Sequence, residues 1–248
     1  MNTALPLPTG PILSVRNLTK RFGGLTALND LSFEVRSDEI LGLIGPNGAG
    51  KSTTFDLISG FRRPTAGTLH FRGRNMAGLD ASAVSRLGLV RTFQHASFFR
   101  EMTVVDNIAL SVLNTPGGPA TRRRHAAAAI ELLELGDVVG EMAEVLPHGR
   151  QRMLSIAIAL GASPQLLCLD EPLTGLNSTE VRVALKAIEA VRQEYRTAVL
   201  LVDHNMRAMM QVCERFVVLN HGSFLAEGTP EQIKAHPEVI DAYLGTES

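Results

Sequence analysis

Gly45-Pro46-Asn47-Gly48-Ala49-Gly50-Lys51-Ser52-Thr53 is the stretch whose reading decides the fold. Its spacing is G-x-x-x-x-G-K-S. Before it, Ile40-Leu41-Gly42-Leu43-Ile44 is a short apolar run of strand length. After it, Thr53 to Ser59 reads as a helix. Strand, glycine loop and helix form the context in which this spacing cradles phosphate. Glycines let the backbone curl so that successive N–H groups point at one spot. The helix N-terminus adds partial positive charge there. Gly45 to Gly50, with Pro46, Asn47, Gly48 and Ala49 between, are therefore expected to wrap a phosphate chain. Lys51 would reach the β- and γ-phosphates, and the Ser52 hydroxyl, with Thr53 closing the stretch, would hold Mg²⁺. A glycine-rich turn with a chance lysine is the other reading, and both flanks argue against it.

Working outward, Ile12 to Arg16 and Leu31 to Val35 read as strands on either side of a Gly23-Gly24 turn. Thr68 to Phe71 and Leu89 to Phe93 also read as strands. From His95 to about Gly161 the pattern becomes helical. Val104 to Val112 is expected as a helix with Thr103 as N-cap. Asn114 to Ala120 is a Pro/Gly loop, and Thr121 to Leu135 and Gln151 to Leu160 are further helices. Arg122-Arg123-Arg124 reads as a solvated helix start. Strand and helix then alternate again, through Leu166 to Leu169, Glu180 to Glu194 and Ala198 to Val202. Phe216 to Leu219 and Ser223 to Ala226 form a hairpin over Asn220-His221-Gly222. Two short helices, Glu231 to Ala235 and Pro237 to Tyr243, close the chain.

The chain has 248 residues, of which 45% are hydrophobic, ample for a large core. A net charge of −1 advertises neither a nucleic-acid nor an anionic-membrane partner. Cys168 and Cys213 are far apart, without a CxxC, so neither disulfides nor a zinc site are expected, and a reducing compartment is the natural setting. Met1 to Pro11 lacks the features of a signal peptide. No apolar run approaches the ~18 residues of a membrane span. The expectation is a soluble cytosolic protein, unless a partner holds it at a membrane.

Leu166 to Leu169 delivers two adjacent carboxylates, Asp170 and Glu171. This strand is expected beside the P-loop strand, with Asp170 joining the Mg²⁺ shell. Glu171, pointing elsewhere, would act as general base or polarise water. The bland alternative is a strand-end turn. Gln94 follows the strand before the helical segment, where it could touch both Mg²⁺ and the attacking water. A solvated glutamine fits the spacing equally well. His204 follows the strand Ala198 to Val202, and an imidazole there can reach the γ-phosphate. Alone it reads as a strand-end histidine.

Leu146-Pro147-His148-Gly149-Arg150 precedes the helix from Gln151 and completes an ordered set. P-loop, glutamine, glycine-bearing helix start, Asp-Glu strand and histidine resemble, in that order, the ATP-binding cassette (ABC) ATPases. The resemblance covers about Ile12 to Leu244. It implies an α/β fold: a P-loop NTPase core with an antiparallel β subdomain and an inserted helical subdomain. The core would comprise 12–94 and 164–228, the insertion 95–163 and a helical tail 229–248. By resemblance, Gly45 to Thr53 is Walker A and Leu166 to Glu171 is Walker B. Gln94 is the Q-loop glutamine, also a Mg²⁺ contact, and His204 the switch histidine. Phe22 falls where the family stacks an aromatic on adenine; a core ring is the alternative.

Two departures stand out. Where the family writes LSGGQ, Pro147 replaces the serine, His148 the first glycine and Arg150 the glutamine. Gly149 remains, and its N–H with the helix behind it can still bind γ-phosphate. Asn177 stands where the family usually has Asp, which puts communication between subunits in question. Arg91-Thr92-Phe93-Gln94-His95, Phe98 to Val104, Glu227-Gly228-Thr229-Pro230 and Pro237 to Gly245 resemble the branched-chain amino acid uptake group. The resemblance implies ATP and Mg²⁺ as cofactors, and a head-to-tail pair with a second cassette, identical or different. It also implies integral membrane permease subunits and, indirectly, a solute-binding protein, on the cytoplasmic face of the inner membrane. The solute is the weaker inference, since related cassettes serve urea and amides. The rivals are a cytosolic cassette acting on DNA or ribosomes, and a regulatory cassette without turnover. One cassette, no heptads and no basic patch disfavour the first. The presence of Lys51, Asp170, Glu171 and His204 disfavours the second.

Overall fold

The fully apolar runs form the centre of a parallel sheet. The computed structural model describes residues 10–92, 98–114 and 118–244. The first part runs β1 (Leu13–Phe22), β2 (Leu25–Val35), β3 (Ile40–Ile44), α1 (Lys51–Ile58), β4 (Ala66–Phe71), β5 (Arg74–Asn75), α2 (Ala81–Arg86) and β6 (Leu89–Arg91). Helices α3 (Val104–Ser111), α4 (Pro119–Leu132) and α5 (His148–Gly161) follow. The chain then forms β7 (Leu166–Asp170), α6 (Ser178–Tyr195), β8 (Ala198–Val202) and α7 (Met206–Val212). It closes with β9 (Arg215–Asn220), β10 (Ser223–Gly228), α8 (Pro230–Lys234) and α9 (Pro237–Leu244).

One sheet is antiparallel, in the order β2-β1-β4-β5. The other, β10-β9-β3-β8-β7-β6, is parallel except for β10. Successive residues of β7 show why its run is apolar throughout. Leu166 and Cys168 pack with Phe55 and Leu57 of α1 and with Leu13 and Leu31 of the antiparallel sheet. Leu167 and Leu169 pack on the other face with Met153, Leu154 and Ile188. A strand covered on both faces cannot alternate with polar residues. Cys168 and Cys213 are both buried and free, and burial pushes the Cys168 thiol up to about 12. They are core residues. Among the described residues, no helix is long and apolar enough to cross a membrane.

The elements depart from the sequence expectations at particular places. β1 and β2 extend to Phe22 and from Leu25, because register shifts along their pairing break the alternation that marks a strand. α4 starts at Pro119, since proline at a first helical position loses nothing by lacking an N–H. The turns α2 and α7 were not anticipated. Each rests on a local cap, the Asp80 and Asn205 side chains accepting from Ala83 and Ala208 N–H. The strand expected beside the P-loop strand is not its neighbour: β8 lies between β3 and β7. All three are fully buried five-residue runs, so hydrophobicity does not rank them.

A buried charge cluster ties the two ends of the chain. Arg215, at the start of β9, donates to both Glu39 carboxylate oxygens (2.7 and 3.2 Å), to Glu227 (2.5 Å) and to the Glu34 carbonyl (2.7 Å). Arg215 and Glu39 are both buried. Removing one partner of such a pair strands the other charge, which costs about 3–5 kcal/mol. Arg215→Met is therefore expected to lower the denaturant midpoint clearly. A midpoint equal to wild type would show that the cluster contributes nothing.

Candidate active site

The loop after β3 turns where side chains cannot follow. Gly45 has φ +150°, and a Cβ there would lie 2.1 Å from the Leu219 carbonyl oxygen. Gly50, the left-handed N-cap of α1 with φ +100°, would place a Cβ 2.5 Å from Leu28 Cδ2. The loop thus packs against β9 and β2 so closely that only glycine fits. Lys51 is buried, with Nζ donating to the carbonyls of Gly45 (2.6 Å) and Pro46 (3.0 Å). Burial lowers its pKa, opposed by the charge of Glu171. Ser52 is exposed one residue further on.

Asp170 and Glu171 separate as expected. Asp170 ends β7, is buried, and accepts from Arg91 Nη2 at 2.7 Å. Glu171 adopts φ +51°, uncommon for a residue with a side chain and often found at functional sites. Its N–H donates to the Val202 carbonyl, which binds the end of β7 to the end of β8. His204 lies just past β8, and its Nε2 is 3.1 Å from Glu171 Oε1.

One cleft of about 510 Å³ brings most of these parts together, while Gly45, Pro46 and the buried Asp170 are not in its lining. Asn47 to Thr53 line it, with Glu171, His204, Phe22 and His221. Phe22 is exposed, so the core-ring alternative fails. Lys20 and Arg62 stand 5.1 and 5.2 Å from its ring centroid. His221 arrives on the turn between β9 and β10, where it and Gly222 both have positive φ. That is the turn geometry the hairpin reading required. Gly222 N–H donates to the Ala49 carbonyl, fastening the turn to the P-loop.

The signature residues do not line this cleft. Pro147 is the N-cap of α5. Glu180 of α6 covers Gly149, where a Cβ would lie 1.9 Å from its Oε1. The His148 ring stands close to Gly175. Arg150 turns into the helical segment, binding Asp137 at 3.0 Å and the Glu134 carbonyl. Asn177 caps α6 in a reciprocal pair with Glu180. Asn caps as well as Asp does, so the exchange preserves this helix end. Gln94 lies outside the described residues.

Three contributors were missed. Arg91 bonds Asp170 from 79 residues away in sequence. Asp203 accepts from Leu173 N–H and Asn205 N–H, both at 2.8 Å, holding the loop after Glu171 to the one bearing His204. Burial raises its pKa against those two bonds. Tyr243, on α9, is hydrogen-bonded by the Gly45 backbone while burial pushes its phenol up. An Asp directly after an apolar strand was the one available signal, for Asp203; nothing local marks Arg91 or Tyr243.

Residues 28–174 match the family model described as ABC transporter. The chain belongs to that family, as one of its ATP-binding, ATP-hydrolysing cassettes. Residues 225–248 also match the model of the branched-chain amino acid ATP-binding cassette transporter. The chain is 42% identical to the high-affinity branched-chain amino acid transport ATP-binding protein LivG of Salmonella typhimurium, over 95% of this chain and 98% of that one. It is 35% identical to the lipopolysaccharide export system ATP-binding protein LptB of Haemophilus influenzae, over 94% and 97%. Among solved structures, the ADP conformation of MJ1267, an ATP-binding cassette of an ABC transporter, superposes with a TM-score of 0.86 at 25% identity, covering 96% of this chain and all of that one.

Proposed function

We propose that this cassette powers uptake of branched-chain or related small amino acids through separate membrane permease subunits, at the cytoplasmic face of the inner membrane. The catalytic reading is carried by one observation: the Glu171–His204 pair lines the same cleft as Lys51 and the glycine loop. Lys51 and the loop N–H groups would hold the β- and γ-phosphates, with Phe22 against adenine. Glu171 would take the proton of the attacking water, and His204 would orient Glu171 and the γ-phosphate. Gln94 is proposed to reach the same water from the start of the helical segment.

The oxygen donors suit Mg²⁺. Among the described residues, no cluster of three or more His, Cys, Asp and Glu could hold a metal. Ser52 and Asp170 offer one hydroxyl and one carboxylate, the sparse set Mg²⁺ uses when phosphates and waters complete its shell. Bound there, it would neutralise charge developing on the phosphates. Pro147, His148, Gly149 and Arg150 would serve the nucleotide of a second cassette, since they do not line this chain's own cleft. That second cassette is identical or different, and a solute-binding protein would load the permease from outside.

The solute assignment is supported by the C-terminal match and by the 42% identity to LivG. Similarity to LptB, named for lipopolysaccharide export, means the cleft alone does not select a cargo. Reconstitution with branched-chain amino acid permease subunits and their binding protein tests the reading. ATP-driven accumulation of leucine, isoleucine or valine in vesicles is expected. Accumulation of urea or an amide instead, with none of these amino acids, would replace the solute class and leave the ATPase reading standing.

A further inference from the structure

We propose that Arg91 is a positioning residue for the cation site: a strut that fixes the spacing between the two elements expected to hold Mg²⁺. The inference rests on Ser52 and Asp170 being the cation's protein ligands. Arg91 leaves the end of β6 with its side chain 8% exposed. Nη1 donates to Asp56 Oδ1 at 2.7 Å and to Ser59 Oγ at 3.3 Å. Nη2 donates to Asp170 Oδ2 at 2.7 Å. Asp56 belongs to α1, one turn beyond Ser52, and Ser59 is the C-cap of the same helix. One planar guanidinium therefore joins the helix that carries Ser52 to the strand that carries Asp170.

Its planar fork sets angles as well as distances, which a lysine ammonium does not. Phe55 and Phe61 hold it further, their ring centroids 5.5 and 6.0 Å from the guanidinium carbon. Arg62 pairs with the other oxygen of Asp56 at 2.9 Å, so the helix end of the strut is itself fixed. At the strand end Arg91 occupies Oδ2 of Asp170, and a cation at this carboxylate has the other oxygen. Neither the P-loop pattern nor the Asp-Glu strand calls for an arginine here.

Mn²⁺, followed by electron paramagnetic resonance, is titrated into ADP-saturated protein, and ADP affinity is measured separately in EDTA. Ser52→Ala is the control for the site, and Arg91→Met, Arg91→Lys and Asp56→Asn test the strut. Arg91→Met is expected to weaken Mn²⁺ binding about tenfold, the lower end of what losing a ligand's supporting partner does. Arg91→Lys and Asp56→Asn should weaken it less, in the same direction, while ADP affinity without metal stays near wild type. Wild-type Mn²⁺ affinity in Ser52→Ala would overturn the site reading and the strut with it. Weakened binding in that control, with wild-type affinity in the Arg91 and Asp56 variants, would overturn the strut alone. Equal losses of metal-free ADP affinity and Mn²⁺ affinity would also overturn it, by showing that Arg91 merely supports the fold. Should Arg91→Met not fold, Arg91→Lys and Asp56→Asn decide by the same criteria.

Discussion

Glu171→Gln is expected to slow ATP hydrolysis by about 10²–10⁴-fold, the usual contribution of a positioned general base, while ATP still binds. The amide matches the carboxylate in size and can keep a hydrogen bond to His204, now 3.1 Å from Oε1. It cannot take a proton from water. The positive φ at Glu171 and its N–H bond to Val202 are backbone features, so the variant should hold the same pose. Phosphate release at saturating ATP measures the loss, and nucleotide binding in parallel shows that the cleft survives. Full turnover in the variant would remove Glu171 from the role. Hydrolysis by the wild-type chain should also rise more steeply than linearly with protein concentration if two copies complete each other's sites.

Lys51→Ala should act on binding. Its ammonium is held by the Gly45 and Pro46 carbonyls at the mouth of the loop, already beside the place a phosphate chain would occupy. Hydrogen bonds to charged groups contribute about 1.5–3 kcal/mol, so ATP affinity should fall roughly 10–100-fold. The change also removes a buried cation whose charge interacts with Glu171. Equilibrium binding of a fluorescent ATP analogue measures the effect. An unchanged dissociation constant would mean that the loop N–H groups hold the phosphates unaided.

What could be read from the sequence was local. The P-loop declares itself because its glycines, lysine and serine are consecutive and flanked by the strand and helix that give them meaning. Thr103 and the turn at His221-Gly222 were readable for the same reason: a cap or a tight turn acts within four residues. Arg91 was not, because its meaning comes from Asp56 and Asp170, which only folding brings to it. Strand order was hidden too, since β3, β7 and β8 carry equally apolar runs. The bulges in β1 concealed its true length, and with it the route by which Phe22 reaches the cleft. The signature helix start was found only by family order, because Pro147 and Arg150 erase its local pattern.

The strand between β3 and β7 works as a gauge. Neighbouring strands lie about 4.7–4.9 Å apart, so two steps set β3, which feeds the P-loop, and β7, which leads into Glu171, on the order of 10 Å apart. Were the two strands adjacent, that separation would halve. With β8 interposed the gap is one strand wider, and His204, just past the end of the spacer itself, reaches Glu171 at 3.1 Å. The separation of the loop from the carboxylate thus includes the width of one strand.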